Sequence, residues 1–262
     1  MSGGAWGGVI APPIPGRTVK PRREGWTMVI DKGLGLEEAR DWIRVAGDYV
    51  DLVKLAFGTS ALYRGEVLVG KIALLREAGI AVMPGGTLAE IALLQDRFAD
   101  YLARAAELGF DAVEISDGTI PLGRKRRDEA IASARARGFR VIGEVGKKHP
   151  AERLPFEVQA EEALADLAAG AEMVVIEARE SGRGIGIYGP EGEIIPEALS
   201  FLAEQLPPAR TIWEAPQKSQ QEELILRFGP NVNLGNIPPA EVLALEAMRL
   251  GLRGDTLRSI LR

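Results

Sequence analysis

Short apolar runs alternate with longer segments of helical periodicity eight times along this sequence. Successive units lie about thirty residues apart, which is the length of a strand, a helix and their loops. The strands are apolar at consecutive residues, a pattern typical of parallel sheets covered by helices. The alternation therefore predicts an α/β fold, a (β/α)8 barrel of the TIM type. The predicted strands are Thr27–Asp31, Tyr49–Phe57, Ile80–Met83, Ala112–Ser116, Arg140–Val145, Met173–Glu177, Thr211–Glu214 and Val232–Leu234.

A helix is predicted after each strand. An open, doubly wound sheet is the alternative fold, but it usually carries a glycine-rich dinucleotide fingerprint after its first strand. The segment Asp31–Gly35 does not have that pattern. The predicted helices are Leu36–Ala46, Ser60–Ala78, Leu88–Leu108, Arg124–Arg137, Phe156–Ala169, Pro196–Gln205, Ser219–Phe228 and Pro239–Leu250.

Residues 1–25 are rich in glycine and proline and are expected to form an arm that lies over the barrel or over a neighbouring subunit. Residues 26–262 are expected to form the barrel as one domain. The arm lacks the apolar core of a signal peptide, and no later stretch has about 18 consecutive apolar residues. We therefore expect a cytoplasmic protein that makes no membrane contact.

Composition restricts the chemistry that this chain can perform. The net charge of −5 argues against a nucleic-acid partner, which requires a basic surface. The basic run Arg124–Arg127 is accordingly interpreted as a solvated face or an oligomer contact. There is no cysteine, and His149 is the single histidine, so thiolate chemistry and multi-histidine metal sites are excluded. Carboxylates and amines are left to carry the reaction.

The fifth predicted strand ends in a carboxylate followed by two amines, Glu144, Lys147 and Lys148. The carboxyl ends of parallel strands converge on one face of a barrel, where ligands bind. Residues at even separations share a face, so Lys148 is favoured over Lys147 as the inward amine if the chain stays extended through Gly146. The alternative interpretation is a solvated ion-pair cluster.

Other strand ends carry similar groups. Lys54 lies within the second strand, where an amine requires a partner, and Asp31 on the neighbouring strand is the expected one. A buried structural ion pair is the alternative. Glu114 ends the fourth strand, and Glu177 shares a face with Arg179 after the sixth. We expect these side chains to meet in one cavity.

The last two strand ends suggest a phosphate site. Loops after strands seven and eight commonly bind phosphate in barrels, through backbone N–H groups and a helix N-terminus. Ser219, Gly235 and Asn236 are the candidates, with Gly235 expected to let the backbone approach a ligand. Several carboxylates without histidines favour a hard cation, and Mg2+ commonly accompanies phosphorylated substrates.

Eight stretches of the sequence together resemble the phosphosulfolactate synthase family. The resemblance begins near Gly25 and continues to the C-terminus, so it leaves out the arm. It implies a Mg2+-dependent barrel enzyme that adds sulfite to phosphoenolpyruvate, giving (2R)-2-phospho-3-sulfolactate. It also implies a homo-oligomer, with a trimer as the expected assembly, and a strand-end lysine that acts as an acid. The stretches are Thr27–Gly33, Lys54 with Gly58–Ser60, Pro84–Thr87, Val113–Gly118, Glu144–Lys148, Glu177–Gly182, Glu214–Gln221 and Arg253–Thr256.

Combining the resemblance with the strand-end residues assigns a role to each candidate. Lys148 or Lys147 is expected to protonate C2, with a pKa near the working pH because a neighbouring cation lowers it. A Schiff-base aldolase and a non-catalytic relative of the plant heat-stress proteins are the alternative functions. The metal is assigned to Asp31, Glu114, Glu144 and Glu177, and the substrates to Lys32, Lys54, Arg179, Lys218, Ser219, Gly235 and Asn236.

Overall fold

Eight parallel β-strands close into a barrel in a computed structural model that describes residues 5–260. The strand order is β3-β2-β1-β8-β7-β6-β5-β4, and β3 packs beside β4 to complete the circle. The predicted TIM-type fold is confirmed. The strands are β1 (Thr27–Asp31), β2 (Leu52–Leu55), β3 (Ala81–Pro84), β4 (Ala112–Ile115), β5 (Arg140–Val145), β6 (Met173–Ile176), β7 (Thr211–Glu214) and β8 (Asn233–Ile237).

Helices surround the barrel on its outer face. They pack a second apolar layer against the sheet, because both faces of a parallel sheet must be buried. The α-helices of the described residues are α1 (Leu36–Ala46), α2 (Gly65–Glu77), α3 (Gly86–Leu94), α4 (Phe98–Leu108), α5 (Arg124–Ala136), α6 (Phe156–Ala169), α7 (Pro196–Gln205), α8 (Lys218–Phe228), α9 (Val242–Arg249) and α10 (Gly254–Leu257). Short 3₁₀-helices span Gly47–Tyr49, Ala56–Ala61, Pro150–Glu152, Pro208–Arg210, Pro239–Glu241 and Arg258–Ile260.

Several element boundaries differ from the sequence-based predictions. The strand predicted over 49–57 spans only Leu52–Leu55, because 3₁₀-helices flank it on both sides. The single helix predicted over 88–108 is two helices, because Asp96 adopts a left-handed backbone (φ 53°) between them. The helix predicted to start at Ser60 begins at Gly65, after a 3₁₀-helix. The last strand continues to Ile237, since it pairs with strands on both sides.

The N-terminal arm lies against the amino-terminal end of the barrel. Arg17 pairs with Glu246 at 2.9 Å, and Arg22 pairs with Asp51 at 3.1 Å. The Lys20 ammonium donates to two backbone carbonyls at 3.1 Å. Residues 1–4 of the predicted arm lie outside the described residues. The arm therefore covers the end of the barrel that faces away from the converging strand ends.

Within residues 5–260 no helix has the length and apolar character needed to cross a membrane.

Candidate active site

The inward-facing rows of the strands change abruptly from apolar to ionisable. An apolar layer fills the barrel interior, and it includes Leu52, Ala112, Ile142, Val175 and Ile212. Because side chains alternate along a strand, the next inward residue lies two positions later. In these five strands that residue is Lys54, Glu114, Glu144, Glu177 and Glu214, respectively. The top layer of the barrel is therefore a ring of one amine and four carboxylates, all buried.

These side chains line a cavity of about 180 Å³ at the carboxyl ends of the strands. Such a volume suits a small substrate, since sites for drug-sized ligands are larger. A larger groove of about 580 Å³ lies outside the barrel, against α3 and α4, and its lining is mostly apolar. The ionisable groups are concentrated in the smaller cavity, which makes it the candidate site.

Lys54 is the central ion-pair partner of this ring. Its ammonium donates to Glu114 and Glu144 at 2.9 Å and to Glu214 at 3.1 Å. The predicted pairing of Lys54 with Asp31 is therefore wrong. An ammonium has three donors, and all three are used, so Lys54 has none left for a substrate anion. Burial lowers the pKa of Lys54, but the surrounding carboxylates outweigh it and raise the pKa well above its usual value.

Lys148 enters the same cavity from the loop after β5. Its Nζ lies 3.3 Å from Glu144 Oε1 and 3.9 Å from Glu177 Oε2. It also donates to Thr87 Oγ1 at 3.2 Å. Burial lowers the pKa of Lys148, yet Glu144, Glu177 and Glu114 outweigh it and raise the pKa above its usual value. The expectation of a pKa lowered by a neighbouring cation is therefore wrong, because carboxylates surround this amine.

Lys147 points away from the cavity. Its ammonium donates to the backbone carbonyl and the Oδ2 of Asp117, both at 2.7 Å. Arg127 donates to the other oxygen of Asp117 at 3.0 Å and to Asp166 at 2.8 Å. Arg127 is fully buried, so interpreting that part of the basic run as a solvated face is wrong. Lys147 belongs to an ion-pair network between β4, β5 and α5.

Gly146 directs the two lysines to opposite sides. Its φ of 132° is a conformation that side-chain-bearing residues rarely adopt. A Cβ at this position would lie 2.8 Å from the Cβ of Glu177. The chain thus turns closely over Glu177 and delivers Lys148 inward, as the alternation of faces predicts.

The carboxyl groups of the ring differ in their preference for a proton. Burial raises the pKa of Glu144, but Lys148 and Lys54 outweigh it and hold the pKa well below its usual value. Burial and the charges of Glu144 and Glu214 raise the pKa of Glu177 well above its usual range. Burial and Glu144 raise the pKa of Glu114 to about 7. The cavity therefore holds one carboxylate that stays ionised beside one carboxyl that favours its protonated form.

Asp31 lies outside this cavity, although it is buried. Its carboxylate pairs with Lys71 and accepts from the amides of Gly33 and Leu34 at 2.8 and 2.9 Å. Lys71 is fully buried and also donates to the Leu34 carbonyl at 2.8 Å. This arrangement orders the loop after β1. A metal ion in the cavity would have to be held without Asp31.

The predicted substrate-binding residues are divided between the cavity, its rim and other places. Arg179 and Asn236 line the cavity, and Lys32 pairs with the cavity residue Glu180 at the rim. Lys218 pairs with Asp255 at 2.8 Å, and the neighbouring Ser219 is exposed on the first turn of α8. Neither of these two contributes to the cavity lining.

Gly235 serves packing rather than ligand approach. It lies inside β8, and a Cβ there would be 2.6 Å from Met28 Cε and 3.0 Å from Ile212 Cγ2. The prediction that it lets the backbone come close to a ligand is corrected accordingly. The eighth strand was predicted to end before Gly235 but continues through it. Gly235 therefore faces the interior of the barrel.

Three oxygen atoms of the cavity are available as metal ligands. Glu144 Oε1, Glu177 Oε2 and Asn236 Oδ1 are buried and accept no hydrogen bond within the described residues. Oxygen donors of this kind suit a hard cation such as Mg2+, which takes its remaining ligands from substrate and water. Among residues 5–260, no three His, Cys, Asp or Glu side chains form a metal-binding group by themselves. The donor set therefore fits a metal that binds together with its substrate.

Glu90 and Thr87 were not identified from the sequence. Thr87 lines the cavity, and Glu90 is buried one turn later on the same helix. Glu90 is the one charged residue of the otherwise apolar α3. A lone carboxylate on an apolar helix is expensive to bury, and that cost is the signal that marks it in the sequence.

The profile of the (2R)-phospho-3-sulfolactate synthase family, ComA, matches residues 15–255. A phosphosulfolactate synthase of Methanothermobacter thermautotrophicus is 48% identical over 248 residues, covering 94% of this chain and 96% of that protein. A phosphosulfolactate synthase of Bacillus subtilis is 40% identical over 246 residues, covering 93% and 96%. The chain belongs to the phosphosulfolactate synthase family.

More distant similarities extend beyond the phosphosulfolactate synthase family. The Arabidopsis thaliana protein HEAT-STRESS-ASSOCIATED 32 is 24% identical over 278 aligned positions, covering 94% of this chain and 92% of that protein. Among solved structures, 3-hexulose-6-phosphate synthase from Salmonella typhimurium superposes with a TM-score of 0.53 at 16% identity, covering 90% of this chain and 98% of that chain. That likeness supports the barrel fold alone.

Proposed function

We propose that this protein adds sulfite to phosphoenolpyruvate and forms (2R)-2-phospho-3-sulfolactate. The sulfur lone pair attacks C3, the electrons of the C2–C3 double bond move toward C2 and the carboxylate, and C2 takes up one proton. The phosphate ester stays intact. The observation that carries the proposal is the Lys148 ammonium, which lies in a closed ring of carboxylates within a member of this family.

Lys148 is the proposed proton donor. Its raised pKa keeps it protonated, and it lies in the cavity between Thr87, Glu144 and Glu177. A carbanion at C2 is strongly basic, so an ammonium of high pKa can protonate it. Because Lys148 enters only from the β5 side, it reaches one face of C2, which accounts for a single stereoisomer.

The cations at the rim are the proposed binding groups for the two anionic reactants. Arg179 is exposed where the cavity opens, and Lys32 forms a partly exposed pair with Glu180. Exposed ion pairs contribute about 0–1 kcal/mol, so Lys32 can exchange Glu180 for a substrate oxygen at little cost. Arg179 offers the planar, two-pronged donor that matches carboxylate and phosphate groups.

Mg2+ is the proposed cofactor, with Glu144, Glu177 and Asn236 as the residues that would hold it. When bound, it would supply positive charge beside the carboxylate of the substrate as negative charge develops there. Glu144 already has the ionised form that such a role requires, whereas Glu177 would have to release its proton as the metal binds. Glu114 and Glu214 are engaged by Lys54 and are left out of this set.

The raised pKa values of the two cavity lysines argue against a Schiff-base aldolase. Such an enzyme needs a neutral lysine to attack a carbonyl, and its pKa is usually lowered. The pKa values of Lys54 and Lys148 are both raised. Borohydride with carbonyl substrates should therefore trap no covalent adduct.

The direct test is an assay of the purified protein with phosphoenolpyruvate, sulfite and Mg2+. We expect the phosphoenolpyruvate signal in phosphorus NMR to be replaced by that of a phosphorylated sulfonate, at a rate that depends on the sulfite concentration. No consumption of phosphoenolpyruvate between about pH 6 and pH 9 would contradict the proposal and favour a non-catalytic relative of the heat-stress type.

A further inference from the structure

Glu90 is a buried carboxylate that the proposed chemistry does not use. It is 1% exposed and lies on α3, which is otherwise apolar. It accepts three hydrogen bonds, from Ser116 Oγ at 2.5 Å, from the Gly118 amide at 3.1 Å and from the Thr119 amide at 3.0 Å. All three donors belong to the end of β4 and the loop that follows it. Three hydrogen bonds from one short segment to a single buried side chain fix this loop against α3.

The loop that Glu90 holds is the surface against which Lys148 rests. The Gly118 carbonyl accepts a hydrogen bond from the Lys148 amide at 3.1 Å. A Cβ at Gly118 would lie 3.0 Å from both Cγ and Cε of Lys148. The Lys148 side chain therefore packs directly against the backbone of Gly118. A shift of this loop would displace the side chain.

The same helix also controls the far end of Lys148. Thr87, one turn before Glu90, accepts from Lys148 Nζ at 3.2 Å. The amide of Gly86 donates to Glu114 at 2.6 Å, and a Cβ at Gly86 would lie 2.3 Å from Ser116 Oγ. Helix α3 is thus pressed directly onto the end of β4. Glu90 itself does not line the cavity, so it acts through the loop and not on a substrate.

We propose that Glu90 is the positioning residue for Lys148. Its carboxylate fixes the position of the Gly118 backbone. That backbone in turn determines where the Lys148 ammonium lies relative to Glu144, Glu177 and the substrate. The kinetic part of this inference rests on the proposed synthase function, whereas its structural part does not. Displacement of a reacting group by about 1 Å can cost about 10²-fold in rate.

The test compares Glu90→Gln with Asp51→Asn. The first keeps the shape of the side chain and removes the charge. The second removes a buried carboxylate at the opposite end of the barrel, where Asp51 accepts from the Thr27 amide at 2.9 Å. Amide hydrogen exchange needs no substrate. We expect exchange at Gly118, Thr119 and Lys148 to accelerate by about tenfold or more in Glu90→Gln, and to stay unchanged in Asp51→Asn.

Kinetics then show whether the displacement matters to the reaction. For Glu90→Gln we expect kcat to fall by about 10-fold to 10²-fold, with KM for phosphoenolpyruvate within about twofold of the unsubstituted protein. Gly118→Ala should lower kcat comparably while exchange at Thr119 stays slow, because its methyl group displaces Lys148 directly. Ser116→Ala removes one of the three bonds and should give a smaller effect of the same kind.

Unchanged exchange at Gly118 and Lys148 in a folded Glu90→Gln protein would overturn the inference, whatever the activity. An unsubstituted protein without synthase activity would overturn the proposed function alone, and exchange would still decide the role of Glu90. If Glu90→Gln does not fold, normal exchange at Gly118 and Lys148 in Ser116→Ala, together with a normal kcat in Gly118→Ala, would overturn the inference.

Discussion

The ammonium of Lys54 on β2 donates to the carboxylate of Glu144 on β5 at 2.9 Å, across the interior of the barrel. Glu114 and Glu214 accept from the same ammonium, so one cation links β2 to β4, β5 and β7 at the top layer. This pairing keeps Glu144 ionised and leaves its other oxygen facing Lys148. Lys54 thus organises the top layer of the barrel with all three of its donors.

Lys54→Met should destabilise the protein by about 3–5 kcal/mol near neutral pH, because it leaves buried carboxylates without their cation. Without Lys54 the pKa of Glu114 should rise beyond about 7, further above its unfolded value. A carboxyl group whose pKa is higher in the folded state contributes its full stabilisation at pH values below its unfolded-state pKa. That stabilisation is lost as the pH rises through its folded-state pKa. Denaturant unfolding should therefore show a larger loss of stability in Lys54→Met at roughly pH 8 than at pH 5. The raised pKa of Glu114 sets this pH range. An equal loss at both pH values would contradict the assignment.

Glu144→Gln should lower the pKa of Lys148. Glu144 is the carboxylate that contributes most to raising it, and an ammonium that loses its counter-charge releases its proton more readily. Methyl-labelled lysine observed by NMR during a pH titration measures this pKa. Asp117→Asn is the matched control, because Asp117 contacts Lys147 and not Lys148. A fall of similar size in the control would show that the two amines are not separated as described.

Gly235→Ala should cost about 1–3 kcal/mol of stability, because the added methyl group collides with Met28 inside the barrel. KM for phosphoenolpyruvate should stay within about twofold. Gly123→Ala is the control, since a Cβ at Gly123 meets nothing within 4 Å. A stable Gly235→Ala protein with a strongly raised KM would restore the phosphate-cradle interpretation.

Glu177→Gln should weaken Mg2+ binding by about tenfold or more in the presence of phosphoenolpyruvate, because it removes a carboxylate from the donor set. Titration calorimetry measures this affinity. Asp31→Asn should leave it within about twofold, since Asp31 is engaged with Lys71 outside the cavity. The reverse order of effects would place the metal at the loop after β1.

The fold and several of the ionisable cavity residues follow from the sequence. The strands are long enough for the two-residue alternation to show which side chains face inward, so Lys54, Glu114, Glu144 and Glu177 were placed correctly in one layer. Lys148 was also favoured over Lys147 on this basis. Alternation fails where a strand ends early or late, as at Gly235, whose position inside β8 was set by pairing with β7.

Partners were harder to predict than positions. The sheet register places Ile30 beside Lys54, so Asp31 faces the opposite side of the sheet, where it pairs with Lys71 from α2. Three glutamates that come from strands distant in sequence take its place. Glu90 was missed for a similar reason, since its donors lie on a loop that only the packing of α3 onto β4 brings close. Contacts between elements depend on how helices dock, which alternation along one strand does not show.

We propose that Lys148 donates the proton to C2 during addition of sulfite to phosphoenolpyruvate. Steady-state kinetics of Lys148→Met and Lys147→Met, with the product verified by phosphorus NMR, test it most directly. We expect Lys148→Met to lose about 10²-fold or more in kcat with phosphoenolpyruvate binding largely intact, and Lys147→Met to lose much less. A near-normal kcat in Lys148→Met, or a larger loss in Lys147→Met, would contradict the account.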